Sequence, residues 1–330
     1  MSSSSSSLPK RIWRLLNAKF ARSALHLLIS LGIIAAFAYY LYINADKYLE
    51  LLNISKTGVL GLLFLSLAFP VLNGMQNTYL YRGLGMADFS HWDGFLITAA
   101  STLANQLPIP GGIVSKGYYL NRRYALPYTK FASSTIATFF CFFAVNGLIG
   151  VATLLYGIIV KGIAIPSVLL VAYAGMAASL LVFWLPIDWI TMPERFRRLT
   201  RQAVDGWMAI GWNSGLLFRL TVLQVALVVL LSFRYWIVFH MLSQNVTVSQ
   251  TLLFASASIL TQLVSIAPGG LGVRETIVAS VATVLGFDSA TSVVAVGLDR
   301  LVITVMIVLY GWVSAVILGR QISATPKETV

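Results

Sequence analysis

Apolar runs of about twenty residues or more recur along this chain, each long enough to cross the roughly 30 Å hydrocarbon core of a bilayer. They lie at Ala24–Asn44, Val59–Leu80, Phe131–Val160, Ser167–Ile190, Leu220–Leu242 and Ser289–Leu318. Inside lipid every backbone polar group must be satisfied within its own segment, so runs of this kind fold as helices. The sequence therefore predicts an all-α polytopic membrane protein. The composition of the 330 residues, 58% hydrophobic and 10% charged, supports this reading. No stretch between the runs is long enough to fold by itself. One membrane domain is expected over 24–319, after a basic N-terminal segment at 1–23 that opens on serines, and before a tail at 320–330. The first run is too long for a signal-peptide core and lacks a small-residue cleavage site, so it reads as an uncleaved anchor.

Basic residues set the expected topology. Seventeen of the 23 Lys and Arg fall before the first run, in 81–130, between Thr191 and Arg219, or in the tail. The intervening segments hold only Lys47, Lys56 and Lys161, and 243–249 holds none. The bias of basic residues toward the cytoplasm places both termini on that side of the plasma (inner) membrane. The net charge of +12 is thus explained by membrane topology and anionic lipid, and nucleic acid is not an expected partner. The single cysteine, Cys141, lies in an apolar run and excludes an intrachain disulfide.

Two shorter apolar stretches, Trp92–Leu107 and Leu252–Ala267, run into loops of nearly the same sequence. One is Pro110-Gly111-Gly112-Ile113-Val114-Ser115-Lys116, the other Pro268-Gly269-Gly270-Leu271-Gly272-Val273-Arg274-Glu275. Each places a cation four residues after its second glycine. Arg82 on one side of the first stretch and Arg122, Arg123 and Lys130 on the other put both flanks in the cytoplasm, so about 16 apolar residues must enter and return. The second stretch follows the uncharged 243–249 loop and would dip in from outside. About six transmembrane helices plus two re-entrant hairpins are expected, in an inverted repeat with halves at about 24–160 and 167–319. Eight ordinary spans is the competing topology. Irregular backbone at membrane depth is tolerated where it lines a cavity, and paired broken segments mark a transporter's binding site.

The polar residues expected to matter sit near those loops. Arg234 lies inside Leu220–Leu242, and Asp299 and Arg300 lie inside the last run, while Arg274 and Glu275 follow the second loop. Each charge at mid-membrane costs about 2.5–3.5 kcal/mol. Together they must pair with one another, as in a fixed lattice of Arg274–Glu275 and Asp299–Arg300, or bind a ligand. With Lys116 the cations exceed the carboxylates by two, which favours an anionic ligand; Lys116 can alternatively snorkel to the cytoplasm. Gly111, Gly112, Gly269 and Gly270 either make tight turns or expose N–H groups at a helix start, a cradle for phosphate or carboxylate. Pro110, Pro268, Asn105, Gln106 and Gln262 support the loops by satisfying backbone groups that proline frees. Pro70, Asn73, Gln76 and Asn77 line the same cavity or bond neighbouring helices. Thr191–Leu217 alternates Phe196, Leu199, Ala203, Trp207 and Ile210 with arginines at helical spacing. It reads as a cytoplasmic helix lying on anionic lipid, with docking on a partner as the alternative. No Walker A loop, HExxH, CxxC, GxSxG or Asp-x-Asp occurs, so neither ATP hydrolysis nor metal chemistry is expected, and no cofactor. Without a nucleotide site, transport would be downhill or ion-coupled, with Glu275 and Asp299 the intramembrane proton carriers.

Ala267-Pro268-Gly269-Gly270-Leu271-Gly272-Val273-Arg274-Glu275 resembles the signature of the lysylphosphatidylglycerol synthetase/flippase transmembrane family. Leu107-Pro108-Ile109-Pro110-Gly111-Gly112 resembles its first-half motif, and Leu298-Asp299-Arg300-Leu301 its arginine-bearing last helix. The resemblance implies a domain that moves a charged lipid between leaflets: an aminoacyl-phospholipid or a polyprenyl-phosphate-linked sugar. Ile113 and Lys116 depart from the family's first motif, which has an acidic or polar residue followed by arginine. No soluble aminoacyl-transferase domain is read in these residues, so lipid synthesis is not expected of them. A membrane glycosyltransferase or lipid synthase is an expected partner. Two alternatives come from other classes. One is a polyprenyl-pyrophosphate phosphatase, with Ser115 as nucleophile, Glu275 as base and Arg274 as clamp. The other is a non-transporting scaffold for a glycosyltransferase.

Overall fold

The computed structural model describes residues 55–106, 111–162, 164, 166–184, 197–262 and 272–324, and among them there is helix and no strand. The run at Ala24–Asn44 lies outside these residues. Ten α-helices are described: α1 Lys56–Gly83, α2 His91–Ala104, α3 Gly111–Tyr124, α4 Tyr128–Ile159, α5 Ser167–Ala178, α6 Arg197–Gly211, α7 Ser214–Met241, α8 Val248–Ala257, α9 Val273–Val284 and α10 Ser289–Ala324. A 3₁₀ turn, Ser179–Trp184, follows α5, and another, Ser258–Gln262, follows α8.

Among the described residues four helices are long and apolar enough to cross a membrane: α1, α4, α7 and α10. Two of them start at a side-chain cap. Ser55 accepts the Gly58 N–H at the head of α1, and Asn213 accepts the Leu216 N–H at the head of α7. α10, at 36 residues, is about 54 Å long and so extends well past the hydrocarbon core. The expected span Ser167–Ile190 differs from the other runs. Its described part is the 12-residue α5, which tightens into the 3₁₀ turn where Ser179 Oγ donates to Phe140 O of α4.

The element order occurs twice. A 28-residue helix, a short loop, a side-chain-capped short helix, a Pro-Gly-Gly sequence, another short helix and a long helix run from α1 to α4, and again from α7 to α10. α1 and α7 lie antiparallel along their whole length, with Gly58 against Met241, Gly61 against Ile237 and Gly83 against Leu216. Their polar contacts are related by exchange of the two halves. Arg234 donates to Leu62 O and Ser66 Oγ, while Gln76 donates to Leu220 O and Gln224 Oε1. The packing follows the same exchange, since α2 rests on α10 and α8 rests on α4. α1–α4 and α7–α10 are thus related by specific bonds that exchange between them.

Small residues bring the helices close. A Cβ on Gly74 would stand 2.8 Å from Phe95 N of α2, so α1 and α2 cross backbone to backbone. α6 lies within the helix expected at Thr191–Leu217, and part of its apolar face packs on α4. Ile210 is fully buried, and the Trp207 ring meets Phe140 of α4 edge-on at 6.0 Å. Arg201, on its arginine face, is exposed.

Candidate functional site

The intramembrane charges converge where α1, α7, α9 and α10 meet. Arg234, on α7, has no exposed surface, and its Nη2 lies 2.7 Å from Asp299 Oδ1 of α10, which is equally buried. Nη2 also donates to the Asp299 main-chain oxygen at 3.2 Å, and Nη1 to Leu62 O at 3.1 Å and to Ser66 Oγ. Pro70 lacks the N–H that would otherwise bond the Ser66 carbonyl, so the helix proline loosens α1 beside this contact. Arg300, the next residue on α10, turns toward α9. Its Nη1 donates to both Glu275 oxygens, at 3.0 and 3.1 Å.

The pairing is therefore across helices, Arg234 with Asp299 and Arg300 with Glu275, and the sequence-adjacent lattice of Arg274–Glu275 and Asp299–Arg300 is replaced. Consecutive helix residues point about 100° apart and cannot face each other. Arg274 is the cation left over: among the described residues no carboxylate lies within salt-bridge distance of it. Its Nε donates to Tyr235 Oη at 2.9 Å, its guanidinium stands 5.6 Å from that ring, and Tyr235 Oη is 2.9 Å from Ser258 Oγ. It lies in the first turn of α9, behind Gly272, whose φ of +80° only glycine adopts freely.

Of the loop residues, Pro110, Pro268, Gly269 and Gly270 lie outside the described residues, so the meeting of the two loops is not described either. Gly111 and Gly112 open α3. The Gly112 N–H is taken by Asn105 Oδ1 at 2.9 Å. A Cβ on Gly111 would come within 2.7 Å of Ala104 O, and one on Gly112 would overlap Asn105 and Ser101. Glycine here permits α2 and α3 to close into a hairpin. Gly112→Val should separate the two helices and lower the yield of folded protein several-fold, read by size-exclusion chromatography, whereas the exposed Ile113→Val should not.

Lys116 is partly exposed on α3, with no carboxylate partner among the described residues, and Gln106 follows α2, its N–H on Leu103 O. Gln262 closes the 3₁₀ turn after α8. Gln76 and Asn77 bond neighbouring helices, the latter to Thr98 Oγ1 at 2.6 Å. Ser115 Oγ donates to Gly112 O of its own helix.

Sequence reasoning passed over a third buried carboxylate. Asp93, in the first turn of α2, accepts from Ser90 Oγ at 2.7 Å, Tyr124 Oη at 3.0 Å and Tyr119 Oη at 3.4 Å, and Tyr119 Oη also meets Gln321 Oε1 of α10 at 2.8 Å. Burial, reinforced by the Asp93 charge, raises the Tyr119 phenol above its ordinary range. The signal was Ser90-x-x-Asp93, a capping pattern ahead of an apolar run.

Paired helical repeats around buried arginines, with four helices fit to cross a bilayer, define a multi-pass membrane protein. Residues 23–311 match the family described as Lysylphosphatidylglycerol synthase TM region, and the chain belongs to it. No curated protein and no solved structure matches the chain.

Proposed function

We propose that the protein is a flippase that moves a phosphate-bearing lipid between leaflets of the plasma membrane. The carrying observation is Arg274. Two of the three intramembrane arginines have carboxylates, and the third lies at the positive end of α9 against Tyr235, with no carboxylate in salt-bridge distance among the described residues. An arginine so placed has donor capacity to spare for a phosphate oxygen. The family's link to a charged phospholipid agrees with this reading. An aminoacyl-phospholipid and a polyprenyl-phosphate-linked sugar share the phosphate that this site would grip. A phosphatase finds less support: Ser115 is turned onto Gly112 O, and Glu275 is held through both oxygens by Arg300. The test is purified protein in liposomes carrying labelled lipid on one leaflet. Movement without chemical change supports transport. Release of phosphate replaces it with the enzyme, and neither result leaves a scaffold.

The transport path would pass between two re-entrant hairpins. α2, α3 and α9 have 14, 14 and 12 residues, about 18–21 Å each, too short to cross the core singly. With cytoplasmic termini, α2–α3 enters from the cytoplasm and α8–α9 from outside. Cysteines at Asp88 and Arg123 should both react with an impermeant thiol reagent from the cytoplasmic side, and those at Asn245 and Asp288 from the other. A split result for either pair would restore eight full spans. The arginine face of α6 would rest on anionic headgroups, and a lipid synthase or membrane glycosyltransferase is the partner such a transporter would serve.

A further inference from the structure

The two buried ion pairs are built differently. Glu275 receives Arg300 Nη1 on both oxygens. Asp299 touches Arg234 at 2.7 Å through Oδ1, but neither of its oxygens receives a properly directed hydrogen bond among the described residues, and the carboxylate is wholly buried. One Nη2 hydrogen is directed to the Asp299 main-chain oxygen, and Arg234 Nε has no hydrogen-bond partner among the described residues. A carboxylate removed from water needs donors on its lone pairs as well as a counter-charge. A proton removes that need.

We propose that Asp299 is the proton-binding site that couples lipid movement to a pH gradient. Coupling rests on the transport reading above; the proton site does not. Loading Asp299 forms an O–H bond on the carboxyl and cancels its charge. Arg234 then remains tied to α10 only by the Asp299 main-chain oxygen, while keeping Leu62 O and Ser66 on α1. The ion pair between α10 and the α1–α7 crossing is thereby switched off, and unloading restores it. The surroundings contain few competitors. α7 offers Arg234 and Tyr235, α9 offers Arg274 and Glu275, and Arg300 is adjacent. α1 presents Ser66 and no charge. Tyr310 lies further along α10, its Oη buried and without a hydrogen-bond partner among the described residues. From α2 and α3, Asp93, Tyr119 and Tyr124 meet α10 at Gln321, about 33 Å along the helix, and Lys116 is one turn before Tyr119. Of the two carboxylates that can carry a proton here, the geometry selects Asp299 over Glu275.

Acid-minus-alkaline infrared difference spectra of the purified protein in lipid nanodiscs test the site without any substrate. The wild type should show the band of a solvent-excluded protonated carboxyl, retained in Glu275→Gln and lost in Asp299→Asn. The band should also be absent from Arg234→Gln with Asp299→Asn, which leaves no stranded charge to disturb the fold. A wild type without the band, or an Asp299→Asn protein that keeps it, overturns the proposal. In liposomes, a pH gradient should change the wild-type rate of lipid movement several-fold, and Asp299→Asn should respond with a ratio near one. An undiminished gradient response in Asp299→Asn overturns the coupling. Failure to move any lipid strikes the transport reading and the coupling with it, while the infrared arm still decides the proton site.

Discussion

Arg234→Leu should destabilise the folded protein by about 3–5 kcal/mol, the largest loss expected of any single substitution in the charge cluster. The change removes the counter-charge of Asp299, a carboxylate with no exposed surface, and frees Leu62 O and Ser66 at the α1–α7 crossing. The double variant Arg234→Leu with Asp299→Leu should recover most of that loss, because two apolar side chains need neither desolvation nor pairing. Reversible unfolding in mixed micelles would read both. Equal stability of the single and double variants would mean that Asp299 is not charged when Arg234 is absent, and that the pair does not hold these helices. The Gln76–Gln224 contact, the counterpart in the other half, is neutral and offers a calibration. Gln76→Leu should cost about 1–3 kcal/mol, the penalty for leaving buried polar groups unpaired.

The difference between those two contacts shows what was legible in the sequence. The runs later seen as α1, α4, α7 and α10 were readable because a bilayer demands length and apolarity together. Their ends were not, because a helix continues past the hydrocarbon until something caps it. α4 begins at Tyr128 behind Pro127, and α10 runs beyond Leu318 to Ala324. The charged residues stood out because each is costly in lipid. Their partners did not, since pairing depends on how helices are rotated against one another, which no single run encodes. Gln76 and Arg234 occupy matching places in the two halves yet share no chemistry a pattern search would equate. Asp93 looked ordinary at a helix start, and only packing of α3 and α10 around it makes it a buried junction. The shared Pro-Gly-Gly sequence was the clearest clue to the halves, and Gly111 and Gly112 show its local reason in the close approach of α2.

Arg274→Lys should reduce lipid movement about ten- to a hundred-fold while leaving stability within about 1 kcal/mol of wild type, and the reason lies in what each neighbour loses. A charge-assisted hydrogen bond is worth about 1.5–3 kcal/mol, and lysine cannot reproduce the flat, two-pronged grip of a guanidinium on phosphate. The fold loses less. Tyr235 Oη keeps Ser258 as a partner, and no carboxylate among the described residues depends on Arg274. Stability and transport should therefore separate at this position, as they should not at Arg234. Glu275→Leu with Arg274→Leu is no substitute, because it also removes the carboxylate to which Arg300 makes two buried bonds. The clean comparison is Arg274→Lys beside Arg274→Gln in the liposome assay, with unfolding measured on the same preparations. If both variants move lipid at the wild-type rate, Arg274 belongs to the scaffold with the other two arginines. The phosphate must then be gripped elsewhere, with Lys116, a cation of α3 with no carboxylate partner among the described residues, the next residue to change.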